Sequence, residues 1–296
     1  MPSTPYGLDR ETARTLMAST VLAPSSHNTQ PWAFRPRNGG IDLLADRTRA
    51  LPVNDPEDRE LTISCGCALF NLRLAAAHEQ VPLRITLLPD GVDQDRLAAV
   101  EMASSGPVPA ELAALCGALT RRRTYRKTFV DASVPPAQVA ALSDTATSES
   151  AWLQTIESDS ARHAIAALVA EGDAIQWAMP SWRRELAQWM YPRRHGDGLS
   201  LPGLVVPVAQ AVVRGFDMGH GVGAKAQQLA DASPLLAVLG TEADGPEDWL
   251  LAGQRARLQH LIGQSGFPQI LLRLGYPIDP VPATPRRPLE SVIDNP

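Results

Sequence analysis

A short polar segment near the amino terminus carries side chains that could bind a ligand. Residues 23–34 read Ala-Pro-Ser-Ser-His-Asn-Thr-Gln-Pro-Trp-Ala-Phe, and two prolines stiffen the ends of the polar part. Between these prolines lie six hydrogen-bonding residues in a row: Ser25, Ser26, His27, Asn28, Thr29 and Gln30. This density favours recognition of a polar ligand. The alternative is a connector whose Ser and Asn side chains cap neighbouring backbone groups.

Two arginine-rich segments could bind a phosphate group. Residues 121–127 read Arg-Arg-Arg-Thr-Tyr-Arg-Lys, and residues 284–289 read Thr-Pro-Arg-Arg-Pro-Leu. Guanidinium groups are permanently charged, forked donors that suit a phosphate monoester, and the Thr124 hydroxyl adds a further donor. Taken alone, the first segment could be a solvated basic helix end and the second a flexible tail.

Taken together and in order, the three segments resemble those of the nitroreductase superfamily, in the form found in Acg-like FMN-binding proteins. The string A-P-S-S-H-N-T-Q-P-W looks like their FMN-contacting loop, and residues 122–126 match the pattern R-R-S/T-x-R. Residues 284–289 are similar to the closing R-R-P segment, whose basic residue meets the cofactor phosphate. The resemblance therefore implies FMN as the cofactor, held by Ser25, Ser26, His27, Asn28, Gln30, Arg122, Arg123, Thr124, Arg126, Arg286 and Arg287.

The resemblance also implies a fold and an assembly. We expect an α+β, nitroreductase-like fold with mixed or antiparallel sheets wrapped by helices. Two diverged nitroreductase-like halves, residues 1–107 and 108–296, would form a pseudo-dimer within one chain. The Gly/Pro-rich residues 191–223 would form a lid in the second half. The chain would be a monomer of this kind or a homodimer.

By the same resemblance, bound FMN would carry electrons from NAD(P)H to nitro-type or quinone-type small-molecule acceptors. The alternative is a protein that sequesters FMN under a closed lid, with little or no turnover. The sequence identifies no catalytic acid.

One segment departs from the family pattern. Acg-like chains usually carry a further helix and connection between the D-W-L-x-A-G-Q helix, here residues 248–254, and the final P-Q-x-L-L-R-L-G-Y strand, here residues 268–276. Only a short link joins them in this chain. The sequence is compatible with an open, a reshaped or a lost flavin site.

Hydrophobic spacing predicts the elements that position the polar segments. A helix from residue 9 to Pro24 precedes the first segment, and a hairpin of strands 32–37 and 41–45 around Asn38-Gly39-Gly40 follows it. A helix capped by Asp55 continues to Ala77, with one apolar stripe of Leu61, Cys65, Ala68, Leu69, Leu72 and Ala76. The further predicted strands are 82–88, 151–156, 234–240 and 269–274. The further predicted helices are 111–120, 136–142, 161–178, 182–190 and 247–262. This order lacks a regular β-α-β rhythm, which favours α+β.

Composition and charge exclude several classes of protein. The net charge of −5 and the mixing of acids with bases disfavour a nucleic-acid or membrane surface. The three cysteines are too few for a disulfide framework, and Cys65 and Cys67 lie in an apolar helix as core thiols. None of the six histidines pairs at ligand spacing with an acid or a cysteine, so no metal site is expected. Without a signal peptide or a spanning segment in the sequence, we expect a cytoplasmic protein.

Overall fold

The computed structural model describes residues 10–89, 91, 93–103, 105–251 and 266–294. By packing, the chain divides into two compact units. The first unit contains Met1–Arg123, Tyr191–Gly203 and Thr284–Pro296, and the second contains Thr124–Met190 and Leu204–Ala283. The division at residue 107 and the lid at residues 191–223 stay predictions.

The described residues form α-helices and β-strands in a mixed order. The strands are β1 Trp32–Arg37, β2 Gly40–Ala45, β3 Leu83–Leu87, β4 Arg96–Met102, β5 Trp152–Ile156, β6 Met190–Pro192, β7 Leu199–Leu201, β8 Leu235–Thr241 and β9 Phe267–Leu274. The helices are α1 Arg10–Thr20, α2 Arg59–His78, α3 Ala110–Leu115, α4 Pro136–Ser148, α5 Asp159–Ala178, α6 Pro180–Gln188, α7 Val206–Gly215, α8 Gly219–Asp231 and α9 Pro246–Leu251. Antiparallel sheets combined with helices in this way make an α+β protein, as predicted.

The first unit contains a four-stranded antiparallel sheet in the order β1-β2-β4-β3. β1 and β2 form the predicted hairpin, in which Trp32 lies opposite Ala45. Gly39 in its turn has a φ of 75°, a left-handed conformation that suits glycine. β4 occupies a stretch for which the sequence predicts no strand. Its central residues are small alanines, which carry little strand preference of their own.

Helix α2 begins later than the sequence predicts. The Asp55 carboxylate accepts hydrogen bonds from the backbone N–H groups of Arg59 and Leu61, both at 2.9 Å, so it caps the helix from the preceding turn. Asp58, the residue immediately before α2, has a left-handed φ of 54°, so the helix does not extend back to Asp55. All six residues of the predicted apolar stripe are buried. The helix therefore forms much of the core of the first unit.

By length and apolar composition, α2 is the one described helix that could cross a membrane. Within the fold, however, 72% of its apolar window is buried against other residues. Such burial is typical of a core helix, and the finding is weak evidence for a membrane span.

The second unit packs helices against a three-stranded antiparallel sheet in the order β5-β8-β9. Its core includes Ile156, Ile165, Leu236 and Val238. Helices α5 and α8 approach closely at Gly223, where an added Cβ would lie 2.8 Å from the carbonyl oxygen of Ala170. Glycine at this position allows the two helix backbones to meet.

One helix of the second unit is longer than predicted. The predicted helix 136–142 continues through the polar residues 143–148 as α4. Their hydroxyls bond within the helix, as Thr145 Oγ1 donates to the carbonyl of Ala141 at 2.7 Å and Thr147 Oγ1 to that of Ser143 at 3.0 Å. Helix α7 and the first turn of α8 lie within the Gly/Pro-rich residues 191–223, where the sequence predicts no helix. Pro207 stands in the first turn of α7, where its missing N–H costs no helical hydrogen bond. Of the predicted helix 247–262, the part beyond Leu251 lies outside the described residues.

Candidate functional site

The polar loop, defined here as residues 23–31, joins α1 to β1 in the first unit and has an unusual backbone. His27, Asn28 and Gln30 have φ values of 47°, 55° and 53°. The left-handed conformation costs a residue other than glycine about 1–2 kcal/mol. The loop is held in it by local hydrogen bonds, since Ser25 Oγ accepts the N–H of Gln30 at 2.9 Å. Conformations of this kind cluster at functional sites.

The amides of Asn28 and Gln30 are buried and fix two other segments of the first unit to the polar loop. Gln30 Nε2 donates to the carbonyl of Gly196 at 3.0 Å, and Gln30 Oε1 accepts the N–H of Arg287 at 2.9 Å. Asn28 Nδ2 donates to the carbonyl of Pro285 at 3.2 Å, and Asn28 Oδ1 accepts from Arg286 Nη1 at 3.0 Å. The two amides therefore tie the polar loop to residues that are distant in sequence.

Ser26 has a partner that the sequence analysis did not identify. Its hydroxyl donates to Glu60 Oε2 in the first turn of α2, and Asn54 Nδ2 donates to the same oxygen at 3.1 Å. The carboxylate thus orients the Ser26 side chain. His27, the remaining predicted residue of the polar loop, lies partly buried beside it.

Arginines from two predicted segments meet next to the polar loop. Arg122 Nη2 and Arg286 Nη2 both donate to the carbonyl oxygen of Leu22, at 3.4 and 3.2 Å. Arg123 lies near enough for its charge to act on Arg286. The structure therefore brings together three of the arginines that the sequence predicts to bind phosphate.

The electrostatics of this arginine cluster (Arg122, Arg123 and Arg286) favour an anion. Burial, followed by the charges of Arg122 and Arg123, lowers the pKa of Arg286 to about 10. Burial also lowers the pKa of Arg122. The Nε atom of Arg286 is buried without a hydrogen-bond partner among the described residues. Arg123 and Arg286 form no ion pair with a carboxylate in that part of the chain. A bound anion would offset this repulsion and accept the remaining donor.

Arg287 has a different environment from Arg286. Its Nη1 donates to the carbonyl of Gln30 at 2.9 Å and lies 3.6 Å from Asp46 Oδ2, and its Nη2 donates to the carbonyl of Ser291 at 2.5 Å. Arg287 therefore supports the backbone of the polar loop. The other two predicted residues, Thr124 and Arg126, are exposed residues of the second unit.

A histidine and an aspartate that the sequence analysis did not single out form a pair beside the polar loop. His195 Nδ1 hydrogen-bonds to Asp197 Oδ1, and Arg49 forms an ion pair with Asp197 Oδ2. Asp197 is only 4% exposed. Gly196 and Gly198 flank it with φ values of 90° and 66°. The sequence signal was His-Gly-Asp-Gly, in which glycines allow a tight turn around a buried acid.

Other chemistry finds little support in the described residues. No group of three or more His, Cys, Asp or Glu side chains there could hold a metal ion. Burial raises the pKa of the Cys67 thiol to about 11 and also raises that of Cys65, so neither is a nucleophile at neutral pH. The polar loop, the arginine cluster and the His195–Asp197 pair thus define the candidate site.

Comparison with known proteins identifies relatives along nearly the whole chain. "Putative NAD(P)H nitroreductase Rv3131" of Mycobacterium tuberculosis (strain ATCC 25618 / H37Rv) is 31% identical across 97% of this chain and 92% of its own. "Uncharacterized protein Rv3127" of the same strain is 31% identical across 92% of this chain and 89% of its own. "Putative NAD(P)H nitroreductase acg", also of that strain, is 27% identical across 91% of each chain. No protein-family model matches the chain.

The alignment with the Rv3131 protein also shows a difference. It extends over 324 positions, more than the 296 residues of this chain, so the relative carries residues that have no counterpart here. Identity of 31% over almost the full length of both chains nevertheless establishes common ancestry. The chain belongs to the nitroreductase superfamily and is similar to its Acg-like members.

Proposed function

We propose that this protein is an FMN-binding oxidoreductase that uses NAD(P)H to reduce nitro-type or quinone-type acceptors. The observation that carries the proposal is the arginine cluster beside the polar loop, in a chain whose relatives include proteins named as NAD(P)H nitroreductases. When bound, FMN would supply two-electron transfer between nicotinamide and acceptor.

The arginine cluster fits the phosphate of FMN. Within the described part of the chain, the buried Nε atom of Arg286 has no hydrogen-bond partner, and neither Arg123 nor Arg286 pairs with a carboxylate. A phosphate monoester supplies two negative charges and several acceptor oxygens, which match these donors. In this proposal Arg122, Arg123 and Arg286 hold the phosphate.

The polar loop fits a role in holding the flavin ring. Ser25, Ser26 and His27 belong to a backbone that local hydrogen bonds hold rigid, and Glu60 orients the Ser26 hydroxyl. Asn28 and Gln30 bind protein groups in this structure, so their first role is to shape the loop. We propose that the ring lies against this loop.

We further propose that the chain descends from two nitroreductase-like halves. Each compact unit contains its own antiparallel sheet packed with helices, which supports an origin by duplication.

The alternative function that we propose is FMN sequestration. Part of the region predicted to be a lid, Gly196 and Gly198, is hydrogen-bonded to the polar loop, as Gly198 N–H donates to the carbonyl of Asn28 at 3.1 Å. A segment fixed there favours a covered flavin that exchanges slowly with substrates.

Purification of the full chain tests both functions. We expect a yellow protein that releases FMN on denaturation and oxidises NADPH or NADH when a nitroaromatic compound or a quinone is present. Tightly bound FMN without turnover would reject the reductase and favour sequestration. A colourless chain that fails to bind added FMN would overturn both.

A further inference from the structure

We propose that His195 is the proton donor of this site, and that Asp197 and Arg49 position it. The inference rests on the proposed oxidoreductase function and goes beyond it, because neither the family motifs nor the relatives assign a role to these three residues. Reduction of a quinone to a hydroquinone requires protons as well as hydride. A histidine whose imidazole is fixed by a hydrogen bond is the side chain best suited to donate a proton at neutral pH.

The geometry of the carboxylate fixes the orientation of the imidazole. Asp197 uses one oxygen for His195 Nδ1 and the other for Arg49, so both of its acceptor atoms are engaged. Its side chain is 5% exposed, whereas that of His195 is 52% exposed. With Nδ1 bound to the buried acid, Nε2 is the ring nitrogen left for a ligand or solvent. Asp–His pairs of this kind hold the tautomer and stabilise the imidazolium.

Backbone hydrogen bonds fix this pair beside the polar loop. The carbonyl of Gly196 accepts from Gln30 Nε2 at 3.0 Å, and the N–H of Gly198 donates to the carbonyl of Asn28 at 3.1 Å. Arg49 Nε also donates to the carbonyl of Thr29 at 2.5 Å. Gly196, Gly198 and Arg49 are therefore all hydrogen-bonded to the polar loop, which is proposed to hold the flavin.

Among the described residues, the acid in contact with His195 is Asp197. The ring of Tyr191 stacks on the imidazole with centroids 4.1 Å apart and an interplanar angle of 22°. Burial, and secondarily the charge of Asp197, raises the pKa of Tyr191, so the phenol is neutral at pH 7. Among the described residues, Arg49 pairs with Asp197, Arg193 and Arg194 precede His195 in the same turn, and the charge of Asp197 acts on Arg287. Arg287 in turn lies 3.6 Å from Asp46.

Reduction of a quinone takes up one hydride and one proton. When bound, FMN would pass the hydride of the nicotinamide to the quinone, leaving NAD(P)⁺. The N–H bond at Nε2 of protonated His195 breaks, and an O–H bond forms at the quinone oxygen that gains negative charge. The imidazole then takes a proton from water. In sum, quinone, NAD(P)H and one proton give hydroquinone and NAD(P)⁺.

The experiment compares His195→Gln with the unsubstituted holoprotein, using two acceptors and one nicotinamide. A benzoquinone needs protons, whereas ferricyanide accepts single electrons and needs none. We expect kcat with the quinone to fall about 100-fold or more. Turnover with ferricyanide and FMN content should stay within about 2-fold, because electron delivery from the nicotinamide is unchanged. His163→Gln, an exposed histidine of the second unit, is the control and should change neither rate.

A spectroscopic measurement supplies a readout other than turnover. In the holoprotein labelled with ¹⁵N-histidine, addition of hydroquinone should shift the Nε2 resonance of His195 and leave that of His163 in place. An unshifted resonance, equal losses with both acceptors, or no loss with the quinone would each overturn the assignment of His195 alone. An unsubstituted holoprotein that turns over neither acceptor would overturn the proposed reductase together with it.

Discussion

Arg122 and Arg286 donate to a single carbonyl oxygen, that of Leu22, although they come from the middle and the end of the chain. Two guanidinium groups converge on one acceptor just before the polar loop, and the charge of Arg123 adds to theirs. A folded protein tolerates such repulsion more easily when a ligand of opposite charge binds there.

Arg286→Ala should weaken binding of FMN far more than binding of riboflavin, which lacks the phosphate. Loss of a buried charge partner costs about 2 kcal/mol or more, which is a roughly 30-fold rise in the Kd for FMN. The Kd for riboflavin should change by less than about 3-fold. Arg121→Ala is the control, because Arg121 is exposed and is a sequence neighbour of Arg122 and Arg123 outside the arginine cluster. Fluorescence titration of the apoprotein measures both ligands. An equal loss for both would show that Arg286 acts through its hydrogen bonds to protein groups, such as Asn28 and Leu22, and not through the phosphate.

The sequence predicted this site in part. The polar loop, the hairpin after it and the buried stripe of α2 depend on local spacing, and each has the expected form. Local spacing could not show that the amides of Asn28 and Gln30 would bind residues 196–198 and 285–287. Those contacts depend on the packing of segments far apart in the chain. The role of Asp197 was not predicted for the same reason, because its ion-pair partner Arg49 is distant in sequence.

Gly196→Ala should disturb the site through the backbone. Gly196 has a φ of 90°, and a Cβ there would lie 2.8 Å from the carbonyl oxygen of Arg286. We expect a loss of about 1–3 kcal/mol in the free energy of unfolding, together with lower FMN occupancy. Gly203→Ala is the control, because its Cβ would meet only Pro192 Cβ at an ordinary 3.8 Å. Urea unfolding and flavin absorbance measure the two effects, and equal stability of the two variants would contradict the prediction.

Glu60 and Ser26 should be energetically coupled. The Ser26 hydroxyl donates to Glu60, and hydrogen bonds to charged groups contribute about 1.5–3 kcal/mol, less where water has access. In a double-mutant cycle of Ser26→Ala and Glu60→Ala, we expect each substitution to cost about 1 kcal/mol. The double variant should lose little more free energy of unfolding than either single variant, which gives a coupling energy of at least about 0.5 kcal/mol.

The control cycle pairs Ser26→Ala with Glu79→Ala, an exposed acid at the other end of α2. Its two effects should add, because the residues share no contact. Additive effects of Ser26→Ala and Glu60→Ala in chemical denaturation would remove Glu60 from the support of the polar loop.

Stability above about pH 8 should depend on the thiols of α2. Burial raises the pKa of Cys67 to about 11, although the nearby charge of Arg122 opposes the shift. An unfolded thiol titrates near about 8.5. Between these values the unfolded chain loses a proton that the folded chain keeps, so the free energy of unfolding falls as pH rises. Below about pH 8 this contribution is fully present.

Cys67→Ala should flatten that decline. Between the two pKa values, each pH unit lowers the free energy of unfolding by about 1.4 kcal/mol for one fully shifted group. Because Cys67 is partly exposed, we expect its contribution to fall by about 1–2 kcal/mol in total between pH 8 and 10. Urea unfolding under reducing conditions at pH 8, 9 and 10 measures the slope for both proteins. Cys116→Ala, outside α2, should retain most of the decline. If Cys67→Ala and the unsubstituted chain lose stability in parallel, the helix does not protect this thiol, and groups elsewhere account for the alkaline transition.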